Sequence, residues 1–180
     1  INVLIYDNTD LQSSVAGGIV VNSSGIVNII NSTITGNVGE QGVYIQGGAN
    51  LNITNSIIFG NNGNEIDFRP AVGVSPHSYA TINYSNIESG LDSIVTNDNG
   101  TVTWGSGNID VDPMFVDTAS GDYHLLASSQ LINAGHPDST DSDGTIADIG
   151  AYPYLNSYSG PTWYITESGN DTTGTGASND

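Results

Sequence analysis

A cluster of aspartates near residue 140 is the strongest candidate for metal binding. The segment reads Asp138-Ser-Thr-Asp141-Ser-Asp143-Gly144, and Asp148 follows shortly afterwards. Closely spaced carboxylates ahead of a glycine can form a tight loop of oxygen ligands, which Ca²⁺ prefers. The pattern departs from the full EF-hand loop, because its first acidic position is displaced and no glutamate closes it. The sequence therefore predicts a Ca²⁺ site formed by Asp138, Asp141, Asp143 and Asp148, with a solvated acidic turn as the alternative.

Other charged residues offer weaker candidates. A second acidic cluster, which we interpret as turn-forming rather than metal-binding, consists of Asp110, Asp112, Asp117 and Asp122. The chain contains a single basic residue, Arg69. We interpret it as the partner of Asp67 or Glu65 in a salt bridge.

The sequence offers no recognisable set of catalytic residues. Glycoside hydrolysis needs paired carboxylates, whereas Glu65 and Asp67 are sequence neighbours and Glu88 is isolated. The histidines are far apart, so no Ser-His-Asp set can be argued, and the absence of cysteine excludes thiol chemistry. These observations favour a protein that is not an enzyme.

The charge balance restricts the partners. Nineteen acidic residues against one basic residue give a net charge of −18, which repels nucleic acid and anionic membranes. No apolar run is long enough to insert into a membrane. We predict a secreted, extracellular or cell-surface protein. Because the chain opens inside a predicted strand without an initiator Met, we also expect a piece of a longer protein.

A repeat of 24 residues organises the first part of the chain. The segment from Gly18 can be laid over the segment from Gly42 without a gap, and the motif N-S-x-I-x-x-N recurs at Asn31 and Asn55. Repeats of this length indicate a solenoid. Apolar and polar residues alternate, β-branched residues dominate, and Gly, Ser and Asn interrupt the runs, which is typical of short strands. The sequence predicts an all-β parallel β-helix with coils of about 24 to 29 residues.

In such a fold equivalent residues of successive coils lie above one another. We predict two aliphatic core columns, one of Ile5, Ile34, Ile58 and Ile87 and the other of Ile29, Ile53 and Ile82. An outward column would contain Tyr6, Thr35 and Phe59, next to Glu88. Two asparagine columns are also predicted, Asn2/Asn31/Asn55 and Asn8/Asn37/Asn61. We expect a buried amide ladder at Asn31 and Asn55.

The repeat divides the chain into three parts. Coils occupy 1–107, and residues 67–79 break the alternation and are interpreted as a corner loop. From residue 108 the 24-residue repeat is no longer present, so we interpret 108–155 as a C-terminal cap that closes the solenoid end. Residues 156–180 are interpreted as a linker followed by the first strand of a further module, or as a strand donated to another chain.

The chain resembles bacterial right-handed parallel β-helix proteins of the broad pectate-lyase-like superfamily. The resemblance rests on the N-S-x-I-x-x-N coil motif and on the succession DVDPMFVD, GDYHL, LINAG and DIGAY, and it covers about residues 1–155. It implies a right-handed coil. Its functional implications are broad, because the superfamily includes lyases, hydrolases and adhesins.

Two functions follow as expectations. The first is a non-enzymatic structural or adhesive module that forms rods or filaments, as a homo-oligomer assembled by end-to-end stacking or strand donation. The alternative is a module that binds or cleaves a polysaccharide. Grouped carboxylates in register on adjacent coils would distinguish a cleaving module, and the sequence offers none.

Overall fold

We describe a computed structural model of the chain over residues 1–10, 17–22, 24–70 and 76–155. The middle of the predicted corner loop and the whole of 156–180, including the predicted donated strand, lie outside the described residues. Within the described ranges no helix is long and apolar enough to cross a membrane.

The described residues form short strands and two short 3-10 helices. In chain order the strands are β1 (Leu4–Tyr6), β2 (Ile19–Asn22), β3 (Ile26–Ile30), β4 (Thr33–Thr35), β5 (Gln41–Gln46), β6 (Asn50–Thr54), β7 (Ile57–Phe59), β8 (Asn64–Phe68), β9 (Ser78–Asn83), β10 (Asn86–Ile87), β11 (Ile94–Val95), β12 (Gly100–Trp104), β13 (Phe115–Asp117) and β14 (Asp122–Leu125). The 3-10 helices are η1 (Gly90–Ser93) and η2 (Thr118–Ser120).

Every third strand joins the same sheet. The first sheet has the order β1-β4-β7-β10, the second β11-β8-β5-β2 and the third β12-β9-β6-β3, and all their pairings are parallel. A fourth, antiparallel pair joins β13 to β14. The described residues are therefore all-β, as the repeat predicted, and their parallel strands stack into three four-stranded sheets. This arrangement is consistent with a parallel β-helix.

The predicted aliphatic columns are confirmed by the strand register. Ile34 pairs with Ile5 on one side and with Ile58 on the other, and Ile58 pairs with Ile87. The second column follows the register Ile29, Ile53, Ile82. Except for half-buried Ile5, these side chains are buried within one continuous apolar core. Burial of these aliphatic groups stabilises the packing of the three sheets against one another.

The asparagine ladder forms in a different column from the one we predicted. Asn31 and Asn55 adopt left-handed backbone angles, with φ of 48° and 50°. The Asn31 Oδ1 atom is buried without a partner, and the Asn55 Oδ1 atom instead accepts from the backbone of His136. Asparagine tolerates this left-handed turn better than most residues. The prediction of a ladder at Asn31 and Asn55 is therefore wrong, since these residues serve the turn.

The ladder lies at the next corner. The Asn8 Nδ2 donates to Asn37 Oδ1 at 2.9 Å, and the Asn37 Nδ2 donates to Asn61 Oδ1 at 2.9 Å. Asn37 is fully buried, and its amide also donates to the carbonyls of Ile5 and Thr35. This column therefore satisfies backbone groups that the corner would otherwise leave unpaired.

The C-terminal segment packs against the first sheet. Ile109 continues the first sheet by a parallel bridge to Asn86, and the chain then turns back over the outward face of that sheet. The backbone of Gly150 donates to the Asn55 carbonyl, and that of Ala151 donates to Thr33 Oγ1. A second apolar cluster forms there from Ile57, Leu125, Leu131 and Ile149. The assignment of 108–155 as a terminal cap stays a prediction.

Candidate binding cleft

A cleft of about 580 Å³ separates the first sheet from the C-terminal segment. Its volume lies within the range of known small-ligand pockets. One side is the sheet, and the other side is the turn before β13, β13 itself and η2. The lining residues are Asp7, Thr35, Gly36, Phe59, Gly60, Asp112, Pro113, Met114, Phe115, Thr118, Ala119, Tyr123 and Leu126.

The sheet side of the cleft is the outward column predicted from the repeat. Thr35 pairs with Tyr6 and with Phe59, which confirms that these residues occupy one column. They point outward because their chain neighbours Ile34 and Ile58 point into the core, and successive side chains of a strand alternate between its faces. Phe59 is half-buried and Tyr6 is 41% exposed.

The opposite side of the cleft carries a group of aromatic rings. The rings of Phe115 and Tyr123 meet edge to face with centroids 5.1 Å apart, and Tyr123 lies 5.0 Å from Tyr6. Such contacts fix the rings, because aromatic pairs prefer edge-to-face or offset geometry. The cleft therefore has apolar surface on both of its sides, although the Tyr123 side chain is only 4% exposed.

Two carboxylates complete the lining. The carboxylate of Asp7 lies so close to Gly36 that a Cβ at that position would stand 2.6 Å from its Oδ1 atom. Gly36 also has a left-handed φ of 65°, so this position favours glycine on both counts. Burial raises the pKa of Tyr123, and the charge of Asp7 and a hydrogen bond to it add to the increase. Asp112 is exposed, and its Oδ1 accepts from the backbone of Met114 at 2.8 Å.

A pair of glutamates lies beside the cleft and was missed by sequence reasoning. Glu65 is only 1% exposed, and its carboxylate oxygens accept from the backbone and the side chain of Asn61 at 3.1 and 2.6 Å. Glu88 accepts from the backbone of Gly60, a cleft residue, at 2.9 Å. Burial raises the pKa of Glu65 from 4.5 to about 8, and a hydrogen bond and charge repulsion from Glu88 add to the increase.

The glutamate pair ends the asparagine ladder. No asparagine follows Asn61 in its column, and Glu65 receives the amide that would otherwise donate to the next coil. One sequence signal could have placed Glu88 beside the cleft, because the predicted outward column already put it next to Phe59. The prediction that Glu88 is isolated is wrong. Glu65 nevertheless is too buried to contact a ligand in the cleft.

Arg69 does not form the predicted salt bridge. Its guanidinium donates to Gln46 Oε1 at 3.0 Å, and the structure gives it no ion pair with Asp67 or Glu65. Asp67 instead accepts from Asn64 and Asn97 at 3.2 and 2.8 Å. Burial raises the pKa of Asp67, and these amide hydrogen bonds oppose the increase. Neutral amides therefore satisfy this carboxylate.

The four predicted Ca²⁺ ligands take part in local hydrogen bonds or are exposed. Asp148 is buried and accepts from the backbones of Asn133 and Tyr154. Asp141 accepts from the backbone of Asp148, Asp143 accepts from Thr145, and Asp138 is exposed. Burial raises the pKa of Asp141 and of Asp148. Among the described residues no three acidic or histidine side chains are grouped to hold a metal ion, so Ca²⁺ binding stays a prediction.

The second acidic cluster contributes to turns. Asp117 accepts from the backbone and hydroxyl of Ser120, which caps η2. Asp122 pairs with His124 at 2.7 Å, and this hydrogen bond lowers the pKa of Asp122. Asp117 here and Asp112 with the backbone of Met114 make the expected turn contacts, whereas the Asp122 contact lies within β14.

Comparison with protein-family models, with curated proteins and with solved structures finds no match for this chain.

Proposed function

We propose that this chain is a right-handed parallel β-helix module of a secreted or cell-surface bacterial protein, and that it adheres to a polysaccharide through the side cleft without cleaving it. The observation that carries the proposal is the 580 Å³ cleft in which fixed aromatic rings face carboxylates. Sugar rings present apolar C–H faces and hydroxyl edges. The two kinds of lining group match these two kinds of sugar surface.

The charges favour a particular class of polysaccharide. Asp7 and Asp112 lie in the cleft, and the whole chain carries a charge of −18. A uronate polymer would bring like charges together. An uncharged or amino-bearing sugar meets no such repulsion, and its hydroxyl or amino groups can donate to the two carboxylates.

The test is isothermal titration calorimetry with soluble cello-oligosaccharides and chitosan oligomers. Ala119→Gln adds a longer side chain to the cleft lining and should weaken binding at least about tenfold. Ala127→Gln is the matched control, because Ala127 is exposed in the same segment and does not line the cleft. Equal binding by both variants and the parent, or no binding of either sugar class, would contradict the proposal.

Cleavage is a second candidate function, and the Glu65–Glu88 pair favours it, because paired carboxylates beside a cleft are what glycoside hydrolysis uses. The burial of Glu65 argues against it. Incubation with the same polymers and measurement of new reducing ends would distinguish the two. Turnover that is lost in Glu88→Gln would replace the binding proposal by a hydrolase.

The same module suits end-to-end assembly. At the β1 end of the coils the apolar core opens into a groove of about 180 Å³ lined by Ile5, Ile19, Val27 and Ile29 among others. Edge strands with unpaired backbone groups can pair with another chain. Electron microscopy of the purified chain tests this, since rods or filaments support assembly and single particles contradict it.

A further inference from the structure

The outward face of the third sheet, formed by β3, β6, β9 and β12, lies away from the cleft. We call it the third-sheet face. The core residues of these strands point inward, so the residues between them point outward. Its two main outward columns are Ile26, Asn50, Tyr79 and Thr101, and beside them Asn28, Asn52, Thr81 and Thr103.

This face is uncharged. None of the residues in its four strands is acidic or basic, although the chain contains 19 acidic residues. The second sheet, by contrast, carries Glu65, Asp67 and an adjoining Arg69. A ligand that binds to this face meets no carboxylate there that would repel an anionic group. Its binding also does not require a carboxylate to lose its hydration, which would cost free energy.

The polar groups on the face form rows across successive coils. The Asn52 Nδ2 donates to Asn28 Oδ1 at 2.9 Å on the exposed surface, so neighbouring coils hold their amides in line. Thr81 and Thr103 continue the same column. Neighbouring strands lie about 4.8 Å apart, which gives a regular line of amides and hydroxyls along the stack.

An aromatic ring stands beside this line. Tyr79 is 48% exposed, and His77 packs against its ring with centroids 5.1 Å apart. The His77 Nε2 atom lies 2.8 Å from Thr101 Oγ1 on the adjacent strand. The tyrosine is thus held in place while about half of its surface stays exposed. Ile26, at 69% exposure, is the main further apolar side chain on the face.

We propose that the third-sheet face binds an extended chain of uncharged polysaccharide laid across the coils, as a surface separate from the cleft. A sugar ring would stack on Tyr79, and hydroxyls of the chain would exchange hydrogen bonds with the amides and hydroxyls of the neighbouring column. A protein partner fits less well, since protein interfaces have a core richer in apolar and aromatic side chains than this face offers. The inference does not depend on the cleft.

Affinity electrophoresis through gels containing hydroxyethyl cellulose or glucomannan tests the proposal. The parent chain should be retarded, and Tyr79→Ala should weaken retention about tenfold, because it removes the stacking ring. Added salt should leave retention unchanged, since no charge takes part. Tyr152→Ala is the matched control, because Tyr152 is also exposed and stacks on His124 with centroids 4.4 Å apart.

The cleft variant Ala119→Gln separates this proposal from the previous one. It should stay retarded and lose at most the cleft's own share of the binding, whereas Tyr79→Ala should keep its oligosaccharide binding in calorimetry. Retention that disappears in Ala119→Gln and persists in Tyr79→Ala would assign the polymer to the cleft and overturn the proposal. Migration of the parent unaffected by both polymers, or equal loss in the two tyrosine variants, would also overturn it.

Discussion

The buried Glu65 makes the stability of this protein depend on pH in an unusual direction. Glu65 keeps its proton in the folded state, because burial and Glu88 raise its pKa from 4.5 to about 8. An unfolded chain loses this proton near the ordinary value. Its contribution to stability is therefore fully present below about pH 4.5 and is lost as the pH rises to about 8.

The size of the effect follows from the pKa difference. Between the two pKa values the unfolded state binds about one proton fewer than the folded state, so the free energy of unfolding falls by about 1.4 kcal/mol per pH unit. From about pH 5.5 to about pH 7.5 the loss from this one group is about 3 kcal/mol. Burial raises the pKa of Asp67 and Asp148 as well, so each of them also destabilises the folded state as the pH rises above its ordinary value.

Urea denaturation followed by circular dichroism across this pH range measures the effect. Glu65→Gln removes the titrating group and should flatten the curve, while lowering stability at low pH because an amide cannot accept both hydrogen bonds from Asn61. Glu88→Gln should also make the slope shallower. Asp110→Asn, an exposed control, should follow the parent. Parallel slopes for Glu65→Gln and the parent would refute the reasoning.

Three further predictions concern the coils and the acidic loop. Ile58→Ala should lower the free energy of unfolding by about 2 to 5 kcal/mol, because it leaves a cavity in a fully buried column. The control Ile26→Ala should cost under about 1 kcal/mol in the same urea titration, because Ile26 is 69% exposed. Asn37→Leu should cost about 3 kcal/mol by leaving the carbonyls of Ile5 and Thr35 and the side-chain amide of Asn8 without their Asn37 partner, and equal stability of this variant and the parent would contradict a structural role of the ladder. The Ca²⁺ prediction requires EDTA to lower the melting temperature of the parent and not of Asp143→Asn, and identical melting curves with EDTA and with Ca²⁺ would remove the site.

The repeat made the core columns predictable. It did not allow us to predict which asparagine column forms the ladder or that Glu65 and Glu88 form a pair. Ile34 and Ile58 could be placed above one another because an exact offset of identical motifs determines the register. The two asparagine columns could not be distinguished in the same way, since Asn55 and Asn61 are the same residue type and only the left-handed φ at Asn55 turns its amide away from the ladder. The separation of Glu65 and Glu88 in the sequence did not indicate that their side chains lie close together in the fold.

The cleft could be predicted only on its sheet side. The column of Tyr6, Thr35 and Phe59 follows from strand alternation. Phe115 and Tyr123 lie beyond residue 108, where no repeat carries the register forward. Their position over the sheet depends on tertiary contacts such as the hydrogen bond from His136 to Asn55, which no local pattern reports.

The most direct test of sugar binding in the cleft is a titration of ¹⁵N-labelled protein with a chitosan or cello-oligosaccharide, followed by amide chemical shifts. We predict that the shifts concentrate at Gly36, Gly60 and Ala119, which line the two sides of the cleft. Unchanged amides at all three positions at saturating sugar would contradict it.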